Sequence, residues 1–213
     1  MDGGSLMVEI SVEVVTDKFT EHIAKAFDFQ FTGKSSFTLP DFICPKKSFN
    51  IGLIVGSSGS GKTQILKKYY GFKEEAVNWN KNKAVISHFN STDEAVEKVF
   101  AVGLSSIPTL CKPYHVLSNG EQFRADLSRK LKHNSIIDEF TSVVNRATAK
   151  SVSVSLSRYI RNKKITGVIF SSCHRDIIPW LQPDWVFDCD AHTFVENVID
   201  VTKLKRVATI DIK

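Results

Sequence analysis

No apolar run in this sequence approaches the roughly 18 residues that a membrane-spanning helix needs, which argues against helical insertion into a bilayer. Cysteine is scarce: Cys44, Cys111, Cys173 and Cys189 lie far apart and form no CxxC pair. That spacing argues against a disulfide framework and against a zinc cluster, and predicts free thiols in a reducing cytoplasm. The opening residues, MDGGSLMVEI, contain no basic segment followed by an apolar one, so they do not read as a secretion leader. Internal repeats, low-complexity linkers and heptads are also missing, which removes solenoids and coiled coils. What remains is a chain of 213 residues, 42% hydrophobic and 24% charged, able to bury one sizeable core. A single domain over residues 1–213 is expected, with a β-rich flank over 1–50 and a reduced helical region over 87–133.

The net charge is +5, with a pI near 9.0. Basic residues gather in three clusters: Arg129, Lys130 and Lys132; Arg158, Arg161, Lys163 and Lys164; Lys203, Lys205 and Arg206. Such clusters fit either a surface for phosphate backbones or solvated helix faces. Aromatic residues are not interleaved with them, which speaks against single-strand stacking. Nucleic acid therefore stands as one candidate partner, beside an unidentified protein.

Hydrophobic periodicity places the elements. Residues 8–15 (VEISVEVV) alternate, as do Phe27, Phe29 and Phe31 in FDFQF, and both predict β structure, with SFTL at 36–39 following. The run IGLIV at 51–55 ends in a Gly/Ser-rich loop and predicts a buried parallel strand. A helix over 63–70 should bury Ile65, Leu66 and Tyr69. Residues 84–86 read as the start of a short strand, and 92–102 as a helix with Val96, Val99 and Phe100 on its buried side. A helix over 121–131 carries Phe123, Leu127 and Leu131 on one stripe. A short strand at 135–138, a long helix from about 142 to 161 and a strand at 167–170 complete an alternating pattern. Strands alternating with helices predict an α/β fold with a mostly parallel sheet flanked by helices and an antiparallel β subdomain at the N-terminal end.

The loop itself carries chemistry. Gly56, Ser57, Ser58, Gly59, Ser60, Gly61, Lys62 and Thr63 match G-x-x-x-x-G-K-[ST] in full. Glycines let successive backbone N–H groups point inward at phosphates, and the helix that follows adds its positive end. Lys62 can reach the β and γ phosphates, and the Thr63 hydroxyl can ligate Mg²⁺. The motif points to a P-loop protein that takes a nucleoside triphosphate with Mg²⁺.

Further motifs narrow the class. The tract LSNGE at 117–121, followed by QFRADLSRKL, resembles the LSGGQ/LSGGE signature of ATP-binding-cassette (ABC) ATPases. Ile136-Ile137-Asp138-Glu139 resembles their Walker B strand with its adjoining glutamate, FTSVVN at 140–145 their D-loop, and VIFSSCH at 168–174 their switch strand and histidine. The order is the family's order. The resemblance spans residues 27–188 and implies ATP and Mg²⁺ as ligands and ATP hydrolysis as the activity. Asp138, at the end of a buried strand, can hold Mg²⁺. Glu139 is placed to polarise the attacking water as a general base, and His174 to contact the γ-phosphate and Glu139. The resemblance also implies an ATP-dependent homodimer in which Ser118 and Gly120 cap the partner's nucleotide; the other reading is an N-cap at Ser118 or Asn119 for the helix that follows. For adenine the family uses an aromatic residue in the early β region. Phe29 and Phe31 are the candidates by position, with core packing at period two the other reading.

Departures from the family set the functional expectation. Ser118 follows Lys62 by only 56 positions, less than transporter cassettes devote to the helical subdomain that receives membrane subunits. The glutamine expected near residues 86–90 is missing; His88 and Asn90 stand there. Asn145 replaces the D-loop aspartate and Asn119 the first signature glycine. The expected activity is thus an ATP-driven dimerising switch in the cytoplasm, apart from transport. The alternatives are the ATPase subunit of a membrane transporter and a P-loop kinase.

Overall fold

A computed structural model describes residues 8–39, 41–42, 45 and 47–196. Cys44, the opening residues 1–7 and the basic cluster Lys203, Lys205 and Arg206 lie outside them. The chain divides into two compact units, Met1–Phe42 and Ile43–Lys213.

In the first unit, strands β1 (Val8–Glu13) and β2 (Lys34–Leu39) pair antiparallel from Val8↔Leu39 to Glu13↔Lys34. Between them runs helix α1 (Lys18–Ala26). Asp17 starts it: its carboxylate accepts from the backbone N–H of Phe19 and Thr20, and the Thr20 hydroxyl accepts from the Asp17 N–H at 2.9 Å. Those hydrogen bonds, the Thr20 N–H first, hold the Asp17 carboxyl below its usual pKa. The expectation of β structure across FDFQF fails here. Phe27 is the C-cap of α1, Asp28 turns with φ +50°, and Phe29 and Phe31 lie in the connection to β2. The period-two spacing of the phenylalanines was overridden by the capping box, which commits residues 18–26 to a helix.

The second unit is built on a sheet of order β4-β5-β3-β6-β7, comprising β3 (Ile51–Val55), β4 (Ile136–Ile137), β5 (Val168–Ser172), β6 (Trp185–Asp188) and β7 (Thr193–Glu196). The pairs β3/β5, β3/β6 and β4/β5 are parallel, and only β6/β7 is antiparallel. Every residue of β3 and β5 is buried, as continuous apolar runs in a parallel sheet require. Asp184 fixes the start of β3: its carboxylate accepts from the N–H of Asn50 and Ile51 and from the Arg161 guanidinium.

Helices α2 (Lys62–Tyr70), α3 (Thr92–Ala101), α5 (Asn119–Lys130) and α6 (Arg146–Asn162) pack with this sheet, and short helices α4 (Ile107–Leu110) and α7 (Ile178–Leu181) fill gaps. Three local expectations change. Residues 84–86 form no strand; Val85–His88 is a 3₁₀ turn, with Ala84 bridged to Pro113. Helix α3 buries Ala95, Val99 and Ala101, while Val96 and Phe100 stay about two-fifths exposed: small alanines allow the closer approach. The long helix starts at Arg146 rather than near 142, because the Asn145 side chain accepts from the Thr148 N–H and caps it there.

Candidate functional site

The phosphate loop leaves β3 and enters α2. A methyl at Gly56 would sit 2.4 Å from Ser60 Oγ and 2.9 Å from Cys189 Cβ, so only glycine admits the turn. Gly61 takes φ +91° at the N-cap of α2, a left-handed conformation that glycine adopts without strain and that opens the helix N-terminus toward the loop. The Lys62 ammonium donates to the carbonyls of Gly56 (2.9 Å) and Ser57 (2.6 Å). Behind the loop, burial pushes the Cys189 thiol up to about 12, so it stays protonated and inert.

At the end of β4 the carboxylate of Asp138 accepts from the Thr63 hydroxyl at 2.6 Å, and its other oxygen from the Ser171 hydroxyl and the Glu139 N–H. Two residues separated by 75 positions are thus brought into direct contact. The turn that follows is unusual: Glu139 has φ +52° and Thr141 φ +71°. Positive φ is unfavourable for a β-branched residue, so the surroundings must impose it. They do: Phe140 and Thr141 are fully buried, the Phe140 ring lies 4.7 Å from Phe170, and its N–H donates to the Ser171 carbonyl. The turn leaves Glu139 exposed at a cleft of about 450 Å³, lined by Thr63, Glu74, Phe123, Asp138, Glu139 and Val143 among others.

His174 follows β5. Its N–H donates to the Ser172 hydroxyl, and its Nδ1 lies 3.4 Å from Thr141 Oγ1 and 3.7 Å from Cys173 Sγ. It therefore touches the turn bearing Glu139 through Thr141; no hydrogen bond to Glu139 itself is formed. Neither stand-in for the missing glutamine reaches the cleft. His88 uses both ring nitrogens locally, on Ala84 O and the Asn80 N–H, and Asn90 bonds Glu94. Glu74, from the irregular segment after α2, does line the cleft; no pattern in the sequence marks it.

Ser118 caps α5. Glu121 Oε2 accepts from the Ser118 N–H (2.9 Å) and hydroxyl (2.8 Å), which hold the Glu121 carboxyl below its usual pKa. The Thr109 hydroxyl donates to the second Glu121 oxygen, and Arg124 ties the Gly120 carbonyl to that of Gly103. Gly120 faces Val144 and the Val143 carbonyl, so the signature-like tract and the D-loop-like tract are neighbours. Phe31 stands half-buried in the first unit, in the connection between α1 and β2. Within the two described basic clusters, three residues are engaged inside the chain: Arg129 on Asn78 O and the Trp79 ring, Arg161 on Asp184, Lys163 on Glu97. Among the described residues no helix is long and apolar enough to cross a membrane.

Neither a family model nor a curated protein matches the sequence. Solved structures do resemble the fold. The dimeric ATP-binding cassette MJ0796, in a post-hydrolysis state bound to ADP and Pi, aligns with TM-score 0.54 and 13% identity over 72% of this chain and 87% of its own. A second dimeric structure of MJ0796, described as a bacterial ABC transporter cassette, aligns with the same score at 12% identity over the same shares. CbiO1 from Clostridium perfringens, part of the ABC transporter complex cbiONQ, aligns with TM-score 0.54 and 17% identity over 80% and 86%. The chain has the fold of an ATP-binding-cassette ATPase domain: a mostly parallel sheet flanked by helices, with an antiparallel sheet besides.

Proposed function

We propose that this chain binds ATP with Mg²⁺ and hydrolyses it to ADP and phosphate, working as an ATP-driven dimerising switch of the ABC type. The observation that carries the reading is the 2.6 Å contact between the Thr63 hydroxyl at the phosphate loop and the Asp138 carboxylate, with Glu139 next in sequence on the same cleft. A hydroxyl and a carboxylate are hard oxygen donors that suit Mg²⁺, so Thr63 and Asp138 are the residues that would hold it. When bound, Mg²⁺ neutralises charge on the β and γ phosphates. The loop's N–H groups cradle the phosphates, and Lys62 turns from the Gly56 and Ser57 carbonyls to the transferred group. Glu139, held by the buried turn, polarises the attacking water, and His174 braces that turn through Thr141. Ser118 and Gly120, at the N-terminus of α5, offer a second anion cradle to a partner copy.

The short span between Lys62 and Ser118 favours work outside transport. The likeness of the fold to MJ0796, a transporter cassette, and to cbiO1, part of a transporter complex, favours the second reading, an ATPase subunit served by separate membrane chains. Glu139→Gln is expected to keep ATP binding, lose turnover by about 100-fold or more, and accumulate as a dimer when ATP is present. Light scattering that finds a monomer at saturating ATP would remove the switch. Copurification with a polytopic membrane protein would establish the transporter subunit. Stimulation of turnover by duplex DNA that fades with salt would identify nucleic acid as the partner.

A further inference from the structure

Ser57 of the phosphate loop is gripped from two sides by opposite charges. The Ser57 carbonyl accepts from the Lys62 ammonium at 2.6 Å. On the other side, the Ser57 N–H and hydroxyl both donate to Asp190, one to each carboxylate oxygen, and both at 2.8 Å. Asp190 lies 133 positions away in sequence, in the turn between β6 and β7. That turn is fixed to the same edge of the sheet, since Asp188 pairs with Val55 in register and the Cys189 N–H donates to the Val55 carbonyl. A lysine that turns toward a phosphate gives up at least part of its hold on Ser57. The carboxylate does not have to move.

A carboxylate beside a loop meant to receive phosphates is a liability unless its charge is cancelled. Arg175 cancels it. Its guanidinium makes a two-pronged contact with Asp188 (2.9 and 2.8 Å) and a third contact with Asp190 at 2.6 Å. Asp188 in turn accepts from the N–H groups of Asp190 and Ala191, closing the network. Planar, multi-pronged pairs of this kind are the geometry in which a partly exposed ion pair contributes. Arg175 is also the residue directly after His174, so the network joins the loop to the turn at the end of β5.

We propose that Asp190 and Arg175 are positioning residues for the phosphate loop: Asp190 fixes Ser57, and Arg175, which also pairs with Asp188, offsets the charge of that carboxylate so the loop stays receptive to an anion while tied to the His174 turn. The proposal rests on the nucleotide-binding reading of the loop. It distinguishes charge cancellation from simple bracing, because the two predict opposite outcomes for a double variant.

The experiment is calorimetric titration of the full chain with ADP and with inorganic pyrophosphate at low ionic strength, using wild type, Arg175→Ala, Asp190→Asn and the double variant. Arg175→Ala leaves the Asp188 and Asp190 carboxylates without their cation and is expected to weaken both ligands by about tenfold. Asp190→Asn keeps one acceptor for the Ser57 N–H and should cost about threefold. The double variant should return to within about threefold of wild type. Binding by Arg175→Ala equal to wild type, or a double variant as weak as Arg175→Ala, overturns the proposal; mere bracing gives the second result. Near-ultraviolet circular dichroism and melting temperature check that each variant is folded. If wild type binds neither ligand, the nucleotide reading fails, and amide exchange at Ser57 in the ligand-free chain then decides the contact. Faster exchange in Arg175→Ala supports the strut, and unchanged protection overturns it.

Discussion

The turn after β4 is locked from behind by buried side chains, with Phe140 and Thr141 without solvent exposure, whereas the start of α5 is held at the surface by Ser118 and Glu121. The first arrangement imposes positive φ on Glu139 and Thr141 and holds it by packing; the second satisfies open N–H groups with a carboxylate that water also reaches. Packing is insensitive to salt and pH, while exposed caps contribute about 1 kcal/mol and respond to both. The difference matches the work proposed for each. A general base needs one fixed geometry. A surface that meets a partner copy gains from being able to rearrange its caps on contact.

The largest effect should come from breaking the buried lock. Phe140→Ala removes a ring between Phe123 and Phe170 and should cost about 4 kcal/mol, read as a fall in the urea midpoint. Turnover should fall with it even where the variant is folded, because the turn bearing Glu139 loses its anchor. At the surface, Ser118→Ala should cost only about 1 kcal/mol by the same measurement. Equal costs for the two substitutions would undo the contrast. Acid sharpens it further. The folded-state pKa of Glu121 is depressed, so its contribution is complete above the ordinary value near 4.5 and is lost as pH falls through the folded value. Amide exchange at 119–122 should therefore rise below about pH 4.5 before that at 139–142 does. The smallest effect is chemical. Iodoacetamide should modify exposed Cys111 and Cys173 in the native protein and spare buried Cys189 until the chain is denatured, as peptide masses would show.

Much of the sheet was legible in the sequence because parallel strands write themselves as unbroken apolar runs: IGLIV, II and VIFSS all emerge as strands. The loop, Thr63 and Asp138 were legible because each is marked by spacing within a short tract. What escaped did so for physical reasons. The phenylalanines of FDFQF have strand spacing, yet a capping box two turns earlier decides their conformation. Helix α6 could not be bounded from periodicity, since two residues with positive φ precede it and nothing in their side chains announces that. Arg175, Asp190 and Glu74 belong to the site through contacts or cleft walls that bring together distant tracts. Such residues carry no local signature.

The irregular segment that carries Glu74 ends at Trp79, whose ring stacks on Tyr114 at 4.9 Å, lies under Arg129 and donates its indole N–H to Asp126 of α5. Asp126 also accepts from the Tyr114 hydroxyl, and burial together with that bond raises the phenol's pKa. Of the three tryptophans, Trp185 is sealed in the sheet and Trp180 sits beside Arg146 and Lys150. Trp79 alone spans from the cleft-lining segment to the helix headed by Ser118. Its emission is therefore a built-in gauge of how that segment rides on α5: a slide of one against the other would alter the stacking, the indole hydrogen bond and the nearby cation together. Nucleotide or partner binding could then be followed by light on the unlabelled chain, with Trp79→Phe as the control in which only Trp180 and Trp185 emit.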